Sequence, residues 1–320
     1  MSDDARAIDE DAFVSVTRLR VRYGAFTAVD NISFDIPRGA IFGFIGPNGA
    51  GKSSTIRVLA TLQPPDGGRV RIAGCDLHRE PQAIRRRIGY VPDRFGCYED
   101  LTVFEYLAFF AAAYRLPVKK RRQIIDDALA LTELERKRFD QVDGLSRGMQ
   151  QRLAVARVLL HDPEFLLLDE PASGLDPRAR IELRELLKEL QGMGKTILIS
   201  SHILHELAQL CSDIAIIEAG QLLCSGNLQA ILRTVDLQRR IYVQLVEPPA
   251  DARARIADLP GVIGVDEEID RLCIRVDEEP TAIEDLHDRL VGLGLRLRMF
   301  QAEAVDMETA FMKLTSGKTA

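Results

Sequence analysis

The sequence predicts an α/β fold: a parallel sheet with helices on both faces, a helical insertion, and a small α+β domain at the end. Three observations carry this. Short, nearly continuous apolar runs, "EFLLLDEP" (164–171) and "KTILISSH" (195–202), end in polar residues and are separated by helical patterns. Strands buried on both faces of a parallel sheet read that way, and ligands gather at their carboxyl ends. Between Leu101 and Leu160 the period is helical with no good strand. Beyond Val235 short strands and helices alternate anew, and 11 Lys/Arg stand against 17 Asp/Glu, so the whole net charge of −6 falls there.

Taken in order, "MSDDARAIDEDAF" is acidic and lacks the apolar segment of a secretory signal, so residues 1–12 read as a disordered tail. Residues 13–234 form the first domain. Within it "AIFGFIGPNGAGKSSTIRVLATL" (40–62) reads strand, glycine loop, helix, and a helical arm occupies about 93–160. The second domain, 235–320, opens with a strand in "RIYVQLVE" (240–247) and a helix in "ADARARIADL" (250–259). Strands follow in "VIGVDEEI" (262–269) and "RLCIRVDE" (271–278), then a helix in "AIEDLHDRLVGLG" (282–294) and a strand in "LRLRMFQA" (295–302). That β-α-β-β-α-β order is the ferredoxin-like arrangement, and a last helix is expected around Asp306–Leu314.

Composition excludes several classes. With 46% hydrophobic and 28% charged residues the chain is globular. No long basic block is present, so nucleic acid is not an expected partner. The longest apolar stretch, Leu101–Tyr114, contains Glu105 and falls short of the ~20 residues that span a bilayer. The five cysteines (Cys75, Cys97, Cys211, Cys224, Cys273) are scattered without CxxC spacing, which fits a reduced, cytosolic chain.

The chemistry concentrates in a few stretches. "GPNGAGKS", Gly46 to Ser53, fits G-x-x-x-x-G-K-[ST] between a strand and a helix. Gly46, Pro47, Asn48, Gly49, Ala50 and Gly51 form a loop whose amides point inward at phosphates. Lys52 adds a point charge, the Ser53 hydroxyl suits Mg²⁺, and Ser54 continues the helix start. This is a nucleoside triphosphate site, and the core is a P-loop NTPase. In "FLLLDEP" the strand delivers Asp169 to the metal shell, and Glu170 follows where it can polarise the attacking water. "GLSRGMQQRLAVARVLL", Gly144 to Leu160, is an amphipathic helix led by Ser, Arg and Gly, and a helix start of that kind is an anion site.

In this order, "GPNGAGKSS", the helical arm, "LSRGMQQR", "FLLLDEP", "ASGLD" and "SSH" resemble an ABC-type ATPase, the nucleotide-binding subunit of an ATP-driven transporter, over roughly residues 13–234. The C-terminal extension and "IGYVPD…YEDLTVFEYL" resemble the bacterial ABC-2-type export group, in which this subunit is a separate chain. The resemblance implies an antiparallel β subdomain beside the P-loop core. It implies ATP and Mg²⁺ as cofactors, and a homodimer, or a heterodimer with a similar subunit, formed head to tail on ATP binding. Integral membrane permease subunits are the further partners, which places the chain in the cytoplasm, peripheral on the membrane's cytoplasmic face.

The site residues it implies are specific. Leu145, Ser146, Arg147, Gly148 and Met149 form a signature loop that faces the partner's ATP. Arg147 replaces the usual first glycine; it either adds charge at the phosphates or points outward, and the outward reading is preferred. Tyr23 lies where an aromatic stacks on adenine, although a strand-core tyrosine would also fit. Asp176, by itself an N-cap before "PRARIELRELL", lies in the loop that crosses the dimer seam. His202 would reach the γ-phosphate and water from its own side as a switch. Asp93 stands where the family usually has a glutamine: either it joins the water shell of Mg²⁺, or "PD" makes a turn and the sensor role has moved. "FGCYEDLTVFEYLAFF" (95–110) lies where the family docks a coupling helix of the membrane protein, although core packing explains half of its rings. A soluble ABC ATPase acting on a ribosome, DNA or an assembly factor is the alternative; one cassette, no coiled-coil heptads and no basic patch argue against it. The C-terminal domain reads as a dimer contact, a regulator or a stabilising appendage.

Overall fold

The computed structural model describes residues 12–302, apart from 94–95, 97–99, 204–206, 235–238, 250, 269 and 277–281. The expected tail up to residue 11, most of the docking stretch around 95–99, and the expected last helix lie outside the described residues. The chain divides into two compact units, the first ending at Ile231 and the second starting at Leu232.

The first unit opens with two long antiparallel strands, β1 (Val14–Tyr23) and β2 (Phe26–Ile36). β1 also pairs with β4 (Gly67–Ile72), which pairs with β5 (Cys75–Asp76), giving the sheet order β2-β1-β4-β5. A register shift between Val16 and Leu19, with Arg18 at φ 49°, keeps both apolar residues on the inner face although they are three apart; a bulge does this by adding one residue to one strand. That face packs on the second sheet, where Phe34 stacks on Phe42 with ring centroids 5.6 Å apart.

β3 (Ile41–Ile45) starts the parallel sheet and leads into α1 (Lys52–Leu59). After α2 (Pro81–Arg85) comes β6 (Ile88–Val91). The chain then leaves the sheet for the helical arm: α3 (Val103–Ala113), α4 (Val118–Leu131) and α5 (Arg147–Leu159). The arm has its own core, built on Tyr106, Leu107, Ile125, Leu129 and Leu153. Thr102 and Glu105 close a reciprocal capping box at the start of α3, which explains the one carboxylate in an otherwise apolar stretch.

The chain returns through β7 (Phe165–Leu168), α6 (Pro177–Gly192), β8 (Thr196–Ser201), β9 (Asp213–Glu218), β10 (Gln221–Asn227) and α7 (Leu228–Thr234). The sheet order is β10-β9-β3-β8-β7-β6, with only β10 antiparallel to its neighbour. Every residue of β3, β7 and β8 is buried, as covering on both faces requires. Their carboxyl ends lie side by side, so the residues just beyond them share one place.

The second unit runs β11 (Arg239–Leu245), α8 (Ala252–Ala257), β12 (Val262–Glu267), β13 (Leu272–Val276), α9 (Ala282–Gly292) and β14 (Leu297–Ala302). Its antiparallel sheet has the order β12-β13-β11-β14, the ferredoxin-like topology. Ile241, Val243, Ile256, Ile274, Leu286 and Leu290 build its core. Among the described residues, no helix is long and apolar enough to cross a membrane.

Candidate functional site

β3 ends at Ile45, and the chain curls through Gly46–Gly51 before α1. Two of these glycines are dictated by what lies beneath the loop. A Cβ on Gly46 would sit 2.2 Å from the Ile217 carbonyl oxygen, and one on Gly51, at φ 105°, would sit 2.5 Å from that of Ala28. Pro47 is half-buried, Asn48 and Gly49 are exposed at the tip, and Ala50 is buried. Gly51 caps α1 without a side-chain hydrogen bond, so the first-turn amides of α1 keep their capacity for an anion. Lys52 is only 5% exposed. Its Nζ donates to the carbonyls of Gly46 (2.7 Å) and Pro47 (3.1 Å) and lies 3.1 Å from Glu170 Oε1.

The end of β7 supplies the acids. Asp169 is buried, and its Oδ1 accepts from Ser53 Oγ (3.1 Å) and from Ser200 Oγ (2.8 Å). Ser200 in turn accepts from the Glu170 N–H at 2.8 Å. Glu170 lies at φ 49°, a left-handed conformation that costs a non-glycine residue roughly 1–3 kcal/mol and is held only where its surroundings fix it. The turn aims the carboxylate back at the loop: Oε1 faces Lys52, and Oε2 is 2.9 Å from His202 Nδ1 at the end of β8. Lys52, Ser53, Asp169, Glu170, Ser200 and His202 are thus one hydrogen-bonded and ion-paired group drawn from three neighbouring strand ends.

Tyr23, at the end of β1, is half exposed; its hydroxyl donates to Gln63 Oε1 at 2.8 Å and lies 3.3 Å from Ser54 Oγ. Partial burial raises its phenol pKa, but the hydrogen bonds with Ser54 and Gln63 and the nearby Arg57 outweigh this and leave it below its ordinary range. Burial, reinforced by the Asp169 charge, holds the Tyr90 phenol above its ordinary range. Asp93 is exposed, two residues past β6, and among the described residues it makes no hydrogen bond to Ser53 or Asp169.

The start of α5 is built separately. Ser146 caps it, accepting from the Met149 N–H at 3.3 Å, and both Ser146 and Arg147 are exposed. Leu145 is buried in the arm, and Met149 packs against the arm's core. Gly148 has no room for a side chain, because a Cβ there would lie 2.7 Å from Ala179 Cβ on α6. Arg147 lies over the 172–176 loop, where a Cβ on Gly174 would be 2.4 Å from its Nη1. Asp176 caps α6, its Oδ1 accepting from the amides of Arg178 and Ala179 at 3.0 Å each. Ala179 therefore belongs both to the first turn of α6 and to the contact with α5.

A family model described as ABC transporter matches residues 29–173. The chain is 40% identical over 220 residues to the Nod factor export ATP-binding protein I of Ralstonia nicotianae, covering 69% of this chain and 68% of that protein. It is 37% identical over 309 residues to the protein of the same name from Paraburkholderia xenovorans, covering 95% and 97%. The chain belongs to the ABC transporter family. Among solved structures, a dimeric ATP-binding cassette in a post-hydrolysis state, bound to ADP and Pi, superposes with a TM-score of 0.60 at 28% identity over 67% of this chain and 98% of that one. This ABC ATPase binds and hydrolyses ATP as the nucleotide-binding subunit of a transporter.

Within the ABC ATPase two contributors escape a reading by motif. Ser200 sits inside "KTILISSH" as one small residue of a buried strand; a hydroxyl at the end of an apolar run is the only signal of its place between Asp169 and Glu170. Ala179 looks like any helix residue, and only the pairing of α5 with α6 shows why it is small. Arg147, read as pointing outward or at phosphates, is exposed, and its guanidinium lies over Gly174 of the loop that Asp176 ends.

Proposed function

We propose that two copies of this ATPase close head to tail on two MgATP and drive the integral membrane permease subunits of an exporter, from the cytoplasmic face of the membrane. The observation that carries the export reading is the Paraburkholderia relative: its similarity covers 95% of this chain, both units included, and its name is that of an export ATP-binding protein. That the matching cassette was solved as a dimer supports the association.

The residues suit each step. The loop amides and Lys52 hold the phosphates. A γ-phosphate competes with Glu170 for the Lys52 ammonium, and its arrival releases that carboxylate to orient the attacking water, with His202 holding the other oxygen. Ser53 Oγ and Asp169 Oδ1, 3.1 Å apart, are hard oxygens of the kind Mg²⁺ uses when it keeps most of its waters and takes phosphate oxygens as further ligands. The ion, once bound, offsets charge on the β- and γ-phosphates. Signature residues Ser146 and Gly148 meet the partner's γ-phosphate, Asp176 crosses the seam, and Tyr23 stacks on adenine with its exposed ring.

The test is to express the chain with Glu170→Gln in native cells, trap the ATP-bound state and identify what co-purifies. A membrane permease together with two copies of this chain is the expected result. A ribosome or DNA complex, or a chain that stays single with saturating MgATP beside its membrane subunit, overturns the proposal.

A further inference from the structure

Away from the nucleotide loop, a cleft of about 380 Å³ opens between α6, β8 and the stretch that holds Leu207, Gln209 and Leu210. That volume is within the range of small-molecule sites, roughly 300–1,000 Å³. Leu187 of α6, Ile199 of β8, and Leu207 and Leu210 give it apolar walls, and Ile181, 52% exposed, leaves a large apolar side chain at the rim. Arg184 also lines it. Its Nη1 donates to Gln209 Oε1, and its Nε, buried without a hydrogen-bond acceptor, forms a long ion pair with Glu185 Oε1 at 3.7 Å. A guanidinium that keeps unused donors beside an apolar wall favours a planar anion with an apolar body.

We infer that this cleft binds an amphiphilic carboxylate, with the acid on Arg184 and an apolar body of roughly a dozen non-hydrogen atoms along α6. Ser200 forms part of the same cleft and holds both Asp169 and the Glu170 N–H. Ala172 and Pro177, at the two ends of the loop that carries Asp176, line it too. An occupant therefore braces α6 against β8 at the hydrolytic end and slows turnover. The inference needs only ATP hydrolysis, and stands or falls independently of export.

The chain contains no tryptophan, so Ile181→Trp at the rim supplies a single fluorescent reporter. Decanoate, kept below its micelle-forming range, saturates the change in emission, and decanol binds at least tenfold more weakly. Arg184→Gln in that background removes the preference for the acid while ATP turnover without decanoate stays as it was. In the wild-type chain saturating decanoate lowers turnover at least twofold, and in R184Q it does not. Equal titrations by acid and alcohol, or a decanoate titration unaffected by R184Q, overturn the site. Dialysis binding of labelled decanoate to the wild-type chain checks the same point without the reporter, and no saturable binding there sinks the inference. Saturation without any change in turnover overturns the regulatory part.

Discussion

The loop after β3 and the start of α5 both offer backbone amides and positive charge to an anion, yet they are satisfied in different ways. At the loop, Lys52 is buried and fully engaged with two carbonyls and Glu170, and the acids are tied to Ser53, Ser200 and His202. At α5, Ser146 makes one capping bond, and Arg147 stands exposed over a neighbouring loop. The first site must exchange internal partners for phosphate; the second gives up almost nothing. On the proposed function, binding at the loop would rearrange the Glu170 carboxylate, whereas binding at α5 would chiefly add contacts. This asymmetry suits a site assembled from two molecules, one holding the nucleotide and the other completing the enclosure.

Five substitutions sharpen or break that contrast. Glu170→Gln is expected to have the largest effect: turnover falls by about 10²- to 10⁴-fold, the range for loss of a positioned base, while ATP still binds. Near-normal hydrolysis would show that the loop side is not the reactive half. Ser200→Ala removes the hydroxyl shared by Asp169 and the Glu170 N–H, and leaving a buried group unpaired costs about 1–3 kcal/mol. We expect about a tenfold loss in kcat with little change in KM, read by steady-state kinetics.

Gly148→Ala places a methyl 2.7 Å from Ala179 Cβ and should destabilise the chain by about 1–3 kcal/mol, as overpacking does. Urea unfolding should show part of that loss restored when Ala179→Gly is added; no restoration would mean that the α5–α6 contact is not the constraint. Asp93→Gln should move the midpoint of the Mg²⁺ titration of hydrolysis, and an identical titration removes Asp93 from the metal's surroundings. Arg147→Ala should have the smallest effect, weakening ATP-driven association by less than about 1 kcal/mol, as expected of an exposed charge. Sedimentation with MgATP reads association, and nucleotide binding to the single chain should be unaltered.

How much of this could be read from the sequence follows the range of the interactions. The P-loop, "FLLLDEP" and the apolar strands depend on neighbours along the chain, and their residues do come together at adjacent strand ends. The C-terminal β-α-β-β-α-β order was readable for the same reason, because each element announces itself by period. Ser200 was not, since its role exists only because β8 lies beside β7. Nor was the contact of Gly148 with Ala179, whose residues are far apart in sequence and meet only when the arm folds back. The antiparallel β1 and β2 left no clean alternation, because bulges shift their register three times.

Glu170 occupies a backbone conformation better suited to glycine or asparagine. Replacing it with either would ease the polypeptide while removing the carboxylate proposed to orient the attacking water. Selection for heat resistance alone would thus drift toward a sturdier, inert protein, and screens for durable variants need a turnover criterion from the first round.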